Sequence, residues 1–320
     1  MKIQKILLIT LVIVSLDVHF LKPVNFDIFS VDFETSMGKY DDYLNIYYHR
    51  SLTNVPDWWR RVIPNHSPGA IYNFFLKSYL LNTPKMSPEN CHYRVPKIFH
   101  QIWVGPKPFP EKYKKWQETW KTIPGWTYKL WTDKEVESLT LVNNQLYNEE
   151  KNMGARADIL RMEILYQQGG VYIDTDFECI KPEFFDILNC NYDFYTGITP
   201  LDGEVLILNN GLIGSIPGHP ILKAYIENLK DIKKTSHSFD IVARGPGLFT
   251  NMALIHGCKK NKDIFFPPTF FYPLAIYPLK NNQHFAKLAT SSRGLEEIKK
   301  YVLKPESIAI HWWEGSWHAS

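Results

Sequence analysis

This chain of 320 residues has no block of lysine or arginine, no CxxC pair, no internal repeat and no uncharged apolar run long enough to cross a bilayer. Its 36 basic and 33 acidic side chains are interleaved and leave a formal charge of only +3. A protein that grips a phosphate backbone through a basic stripe is therefore excluded, and nucleic acid is not an expected partner. The four cysteines, Cys91, Cys179, Cys190 and Cys258, have no histidine at zinc-finger spacing. They permit up to two disulfides and require none. The nearest approach to a membrane segment is at the amino terminus, where Lys2 and Lys5 precede uncharged apolar residues from Ile6 to Leu16. That is the layout of a secretory signal or a short anchor. A spanning helix needs about 20 residues, and extension to Leu21 takes Asp17 and His19 into the lipid. Residues 1–21 are accordingly expected to be a signal or short membrane anchor, which makes the protein membrane-anchored or exported, in a secretory pathway or cell envelope.

What is present suits one large domain with an extension. The chain is 45% hydrophobic and 15% aromatic, enough for a substantial core and unlike a disordered or fibrous protein. Residues 22–94 mix Asn, Pro, Ser and aromatics without sustained periodicity, which predicts an irregular or short-helical extension. From Val95 the pattern changes. Lys97 to Val104 is strand-like, and a Gly/Pro-rich loop follows at Gly105 to Pro110. Tyr113, Trp116 and Trp120 fall at helical spacing, Trp126, Tyr128 and Leu130 alternate as in a strand, and Thr132 with Glu135 forms a capping box. A helix over Ala155 to Gln168 should stop at Gly169 and Gly170 and feed a strand over Val171 to Asp174. This strand–helix alternation over residues 95–320 predicts an α/β fold, a mostly parallel sheet flanked by helices.

The sharpest chemical signal is the segment Gly-Gly-Val-Tyr-Ile-Asp-Thr-Asp, residues 169–176. Positions two apart on a strand share a face, so Asp174 and Asp176 are expected to point together into the crevice beyond the carboxyl ends of the strands. Two close carboxylates repel unless a cation or proton lies between them, and a divalent metal that also neutralises a diphosphate leaving group resolves the repulsion. Asp158 and Arg161, three apart on the preceding helix, bring another carboxylate and a guanidinium toward the same edge; the rival reading is a minor surface ion pair. After an apolar strand at Ser307 to Ile310 comes His-Trp-Trp-Glu-Gly-Ser-Trp-His, residues 311–318, unusual for a terminus that normally frays. Metal ligation by His311 with diphosphate contacts from Ser316 and Trp317 accounts for it, as does an aromatic tail that only packs.

Four ordered stretches, Val95 to Gly105, Ala155 to Tyr166, Gly169 to Asp176 and His311 to Trp317, resemble the family 32 glycosyltransferases, the DXD-containing sugar transferases that include fungal initiating α-1,6-mannosyltransferases and bacterial capsule-type enzymes. The resemblance implies a Rossmann-like GT-A fold, a UDP- or GDP-sugar donor, Mn²⁺ or Mg²⁺, and transfer of a hexose with retention to a glycan, polysaccharide, lipid or protein acceptor. It further implies that Trp103 stacks on the donor base, that Asp158 and Arg161 hold ribose or sugar hydroxyls, and that Asp174 contacts sugar and ribose. The same resemblance implies that Asp176 ligates the metal and that His311, Ser316 and Trp317 close over the diphosphate, beside the metal ligation by His311 read from the terminal segment itself. The runs Leu208-Asn-Asn-Gly211 and Arg244-Gly-Pro-Gly247 resemble family features lining the sugar and acceptor side, with Asn210 assigned to the donor; Asp202 and Glu204 nearby are expected to be solvated surface groups. Arg161, Asp174 and Asp176 are the residues expected to carry catalysis. Two rivals are a carbohydrate-binding module with a Ca²⁺-stabilised site and, further off, a phosphatase of the haloacid dehalogenase type.

Overall fold

The computed structural model describes residues 27–41, 44–53, 59–60, 63–82, 91–232, 242–277 and 283–315. The expected amino-terminal anchor, together with Ser316 and Trp317, lies outside the described residues. Among the described residues no helix is long and apolar enough to cross a membrane. Six strands form the central sheet: β1 Ile98–Ile102, β2 Thr127–Trp131, β3 Gly170–Ile173, β5 Phe194–Ile198, β6 Leu208–Ser215 and β7 Asp263–Phe266. Their order is β2-β1-β3-β6-β5-β7. β1 pairs in parallel with β2 and β3, and β5 with β7, whereas β6 is antiparallel to both its neighbours. Five strands thus point one way, and the mostly parallel, helix-flanked sheet expected from the sequence is present. A separate two-stranded ribbon joins β4 Phe177–Cys179 to β8 Ala309–His311.

The helix that feeds the site runs Met153–Gln168, two residues longer than its apolar pattern indicates, because Asn152 caps it by accepting from the Ala155 N–H at 3.0 Å. It stops at Gly169 (φ 64°) and Gly170 (φ 98°). A Cβ on Gly170 would lie 2.7 Å from the Ile98 carbonyl oxygen of β1, so only glycine permits both this left-handed turn and the close approach of β3 to β1. His100 anchors the same turn from within the sheet. The Trp131 indole N–H donates to its Nδ1 at 3.1 Å, which leaves Nε2 to donate to the Gly169 carbonyl at 2.9 Å. Burial pushes the His100 ring down to about 4, so it stays neutral and can hold both bonds.

The segment before Val95 does not stand apart. The helices Asn45–Thr53 and Pro68–Asn82 pack on each other, and the second covers the open edge of β7. Ser78 Oγ and Asn82 Nδ2 donate to the Asp263 carbonyl at 2.8 and 3.0 Å, and Phe75 packs on Phe265 at 5.4 Å between ring centroids. An edge strand is thereby closed against pairing with another chain. A Cys91–Cys190 disulfide, with Cα atoms 5.7 Å apart, ties the entry to β1 onto the helix Glu183–Asn191, and Cys179 and Cys258 are free thiols.

Between Thr196 and Ile198 the β5–β6 register slips: Thr196 faces Ile213, whereas Ile198 faces Leu208. Residues 209–212 therefore bulge out of the ladder. Thr196 Oγ1 lies 2.8 Å from both the Asn209 and Leu212 carbonyls and braces the bulge. Bulges of this kind re-aim side chains at the rim of a sheet, and this one lies beside Asp174.

Candidate functional site

β3 ends at Ile173, and the next residues turn: the Phe177 N–H donates to the Asp174 carbonyl at 3.2 Å. Asp174 and Asp176 are therefore neighbours on a tight turn, not on one face of a continuing strand as the sequence suggests. A four-residue turn brings its side chains together in a different way, with the same consequence for charge. Ligand atoms of Asp174, Asp176 and His311 all lie within 4.8 Å of one another.

Each member is held from a different element. His311 ends β8 and is paired with Phe177 of β4, so the ribbon carries it across to the turn; its ring stacks on Phe177 at 4.5 Å and 7°. Its Nε2 is 2.9 Å from Asp176 Oδ1, while the Glu314 N–H donates to Asp176 Oδ2 at 2.8 Å. Burial acts to raise the Asp176 carboxyl, but His311 and the Glu314 N–H outweigh it and hold it below the usual carboxylate range. Asp174 is anchored on its other side. Tyr172 OH donates to its Oδ1 at 2.6 Å, Arg161 Nη1 stands 3.2 Å from the same oxygen, and Gln101 Nε2 donates to its carbonyl at 3.1 Å.

Arg161 is the hub, 5% exposed. Besides Asp174 it meets Asp158 Oδ1 at 3.1 Å and donates to the Asn210 carbonyl at 2.6 Å, while Asn210 Nδ2 donates to Asp158 Oδ1 at 2.8 Å. The Asp158–Arg161 pair is thus a buried bridge between helix, turn and bulge, not a surface ion pair. Burial pushes the Asp158 carboxyl up to about 6 against the pull of Arg161. An acid raised on folding costs stability where it is ionised, so its penalty is absent below about 4 and complete above about 6. Site geometry has the opposite need, since Arg161 and Asn210 are arranged around the anion. Ligand affinity is expected to decline as the pH falls through about 6, and Asp158→Asn should remove that limb; a wild-type affinity that is flat from about pH 5 to 7 would reject this role.

Gly211 makes room for the cluster. Its carbonyl accepts the Asp174 N–H at 2.7 Å, and a Cβ on it would lie 2.7 Å from Asp174 Oδ2 and 2.9 Å from Asn209 Oδ1. Gly211→Ala is expected to lower activity by roughly 10- to 100-fold, because about 1 Å of displacement at a reacting centre has that effect. Its melting temperature should change little; full activity would show that Asp174 is not held where it acts.

The residues expected from the sequence divide clearly. Asp158, Arg161, Asp174, Asp176, Asn210 and His311 come together. Trp103 follows β1 at the same carboxyl edge, half-buried, with its indole N–H donated to the Lys107 carbonyl at 2.8 Å and its ring against Phe109 and Tyr113. The 244–247 loop reaches the cluster through Gly245, which packs on Asp158 and Asn210. Asp202 is not solvated: it is fully buried and accepts the Tyr277 N–H at 2.8 Å, because the turn after β5 folds inward. Glu204 is partly exposed and pairs with Arg50 at 3.1 Å. Sequence reasoning missed Tyr172, Gln101 and Tyr272. Tyr172 was findable, being two residues before Asp174 on the same strand face; the others arrive from distant segments and carry no local signal.

Two carboxylates and an imidazole whose ligand atoms converge within 4.8 Å form a donor set able to hold a metal ion, and His311 Nδ1 is buried without a hydrogen-bond partner.

Residues 110–195 match the family model described as glycosyltransferase sugar-binding region containing DXD motif. The chain is 32% identical over 143 residues to uncharacterized glycosyltransferase L373 of Acanthamoeba polyphaga mimivirus, covering 42% of this chain and 55% of that protein. It is 32% identical over 151 residues to inositol phosphoceramide mannosyltransferase 3 of Schizosaccharomyces pombe, covering 44% and 39%. With the initiation-specific alpha-1,6-mannosyltransferase of Candida albicans the identity is 26% over 241 residues, covering 60% and 61%. The chain spans about half the length of these curated relatives. The matched region holds the Asp174–Asp176 turn at the centre of the buried cluster, and over that region the chain is similar to glycosyltransferases that carry a DXD motif.

Proposed function

We propose that this protein is a metal-dependent, retaining glycosyltransferase that moves a hexose, with mannose as the first candidate, from a nucleotide-sugar donor to a glycan or lipid acceptor. The observation that carries the reading is the Asp174–Asp176–His311 cluster, within 4.8 Å, backed by a buried arginine. Mannose and a lipid or glycan acceptor are suggested by relatives whose names specify mannosyl transfer, one of them to inositol phosphoceramide. The disulfide is in keeping with an exported or secretory-pathway location.

In this proposal Asp176 and His311 hold the cation, with Asp174 beside them. When bound, Mn²⁺ or Mg²⁺ supplies charge neutralisation at the diphosphate. Arg161 does not need to touch the reacting bond. Burial raises the Asp174 carboxyl, and by spanning Asp158, Asp174 and the Asn210 carbonyl Arg161 opposes that rise and holds the group in place, so that it meets donor hydroxyls without reorganising. Trp103 is assigned to the base, and Ser316 and Trp317 to the diphosphate. The acceptor oxygen attacks the anomeric carbon from the face that the diphosphate leaves. The new C–O bond forms as the old one breaks, and the acceptor proton passes to the departing phosphate oxygen. No protein nucleophile is required.

Purified protein incubated with each common nucleotide sugar, with Mn²⁺ or with chelator, should release free nucleoside diphosphate from one donor, GDP-mannose first, and only with metal. No release from any donor together with retained glycan binding would instead favour a carbohydrate-binding module. The buried position of Asp158 and Arg161 argues against that module, because a surface sugar platform has no use for them.

A further inference from the structure

Among the described residues, seven buried side-chain nitrogens or oxygens have no hydrogen-bond partner. Two of them, Tyr272 OH and His311 Nδ1, belong to rings that meet edge to face beside Asp176, with centroids 5.8 Å apart and planes at 76°. Buried hydroxyls are nearly always paired, and an exception calls for a reason.

Tyr272 is tightly located. Its ring lies edge-on to Phe177 at 5.4 Å and tilted against Trp313 at 5.8 Å, and these residues flank the turn and the His311 strand. On its far side it occupies the space that Gly197 leaves empty at the β5 slip, where a Cβ would come within 2.5 Å of Tyr272 Cε2. The same register slip that re-aims Asn210 thus admits this tyrosine beneath the cluster. The carboxylates of Asp174 and Asp176 are among the charges acting on its hydroxyl.

Apart from the His311 ring, the other donors identified on this wall are already engaged. Tyr172 OH serves Asp174, the Glu314 N–H serves Asp176, and the Trp313 indole N–H serves the Leu274 carbonyl at 2.8 Å. The Leu212 backbone N–H acts on the Tyr272 oxygen, but the O–H itself has no acceptor, and the nearby carboxylates of Asp174 and Asp176 already have their partners. A ligand that brings anionic oxygens to the cluster supplies what it lacks, since a phosphate oxygen accepts and never donates.

We propose that Tyr272 is a donor-binding residue whose hydroxyl is left unpaired in the ligand-free protein and donates to a diphosphate oxygen of the bound nucleotide sugar. This rests on the nucleotide-sugar reading of the site.

Tyr272→Phe separates the ring from the hydroxyl. In the absence of ligand the variant gives up an O–H without an acceptor and at most a weak contact from the Leu212 N–H, so its melting temperature should stay close to that of the wild type. With Mn²⁺ present, its calorimetric affinity for GDP alone and for GDP-mannose should fall by the same factor, roughly 10- to 100-fold, as for a hydrogen bond to a charged group. Unchanged affinity for both overturns the proposal and leaves the site reading standing. Weakened GDP-mannose binding with unchanged GDP binding also overturns it, because the contact would then be to the sugar. Wild-type protein that binds neither GDP nor UDP nor their sugars with Mn²⁺ fails the site reading itself.

Discussion

Asp176→Asn abolishes metal-dependent turnover, by roughly 10²- to 10³-fold or more, while the protein remains folded: that is the result expected if the turn is the donor site. The substitution is chosen because Asp176 has structural duties as well. Its Oδ2 accepts the Glu314 N–H, its carbonyl accepts the Trp312 N–H at 3.0 Å, and its Oδ1 meets His311. Asparagine keeps an oxygen for Glu314 and a polar amide facing His311, so the loss of stability should stay near about 1–2 kcal/mol. Alanine would leave the buried His311 and the part-buried Glu314 N–H without their partner, and loosening of residues 311–315 would confuse the outcome. The two effects are read separately, by nucleoside diphosphate release and by the rise in melting temperature on adding Mn²⁺. In the wild type both should be present, and in Asp176→Asn both should vanish. A variant that is still stabilised by Mn²⁺ and still turns over would remove Asp176 from the metal set. Because the Asp176 carboxyl is held low on folding, its contribution to stability is complete above the ordinary carboxylate range and disappears as the pH falls through its lowered value; near neutrality the comparison is free of that complication.

Much of this site was legible because its parts obey local rules. The capping box at Thr132 and Glu135 is present, with Glu135 Oε2 accepting the Thr132 N–H at 3.0 Å. The Gly169–Gly170 stop, the strand after it and the i, i+3 geometry of Asp158 and Arg161 all follow from spacing alone. What resisted reading is non-local. Nothing within β6 announces that it runs against its neighbours, since an apolar strand looks alike in either direction. The slip opposite Gly197 depends on Thr196, Asn209 and Leu212 meeting across two strands. Through that slip Asn210 reaches Asp158 and Tyr272 reaches the cluster. The turn at Asp174 was misread because alternating residues on a strand and corners of a tight turn both bring positions two apart close together; only the Phe177 N–H, donated back to Asp174, distinguishes them. Asp202 was misread for a related reason. An acidic residue in a polar loop is usually solvated, and its burial here comes from the Tyr277 N–H, 75 residues away in sequence.

Arg161→Met should have the largest effect on stability of any single substitution in the site. The side chain is nearly the same size, yet it leaves Asp158 and Asp174 facing each other in a buried space without their shared counter-charge. Breaking a buried pair from one side typically costs about 3–5 kcal/mol, a drop of roughly 4–8 °C for a chain of this length. The carboxylates would respond by taking up a proton, so the loss should be smaller at about pH 5 than at about pH 8. Arg161→Lys tests geometry at constant charge. An ammonium is a point donor, whereas the guanidinium here reaches Asp158, Asp174 and the Asn210 carbonyl at once, so lysine should recover part of the stability and little of the activity. Adding Asp158→Leu to Arg161→Met removes one of the stranded carboxylates and should restore part of the lost stability, while leaving turnover at the level of Arg161→Met. If stability and turnover recovered together, Arg161 would be a structural bridge and Asp174 would need no help in holding its place. If stability returned and turnover did not, the arginine's part in orienting Asp174 for the donor would be separated from its part in holding the fold.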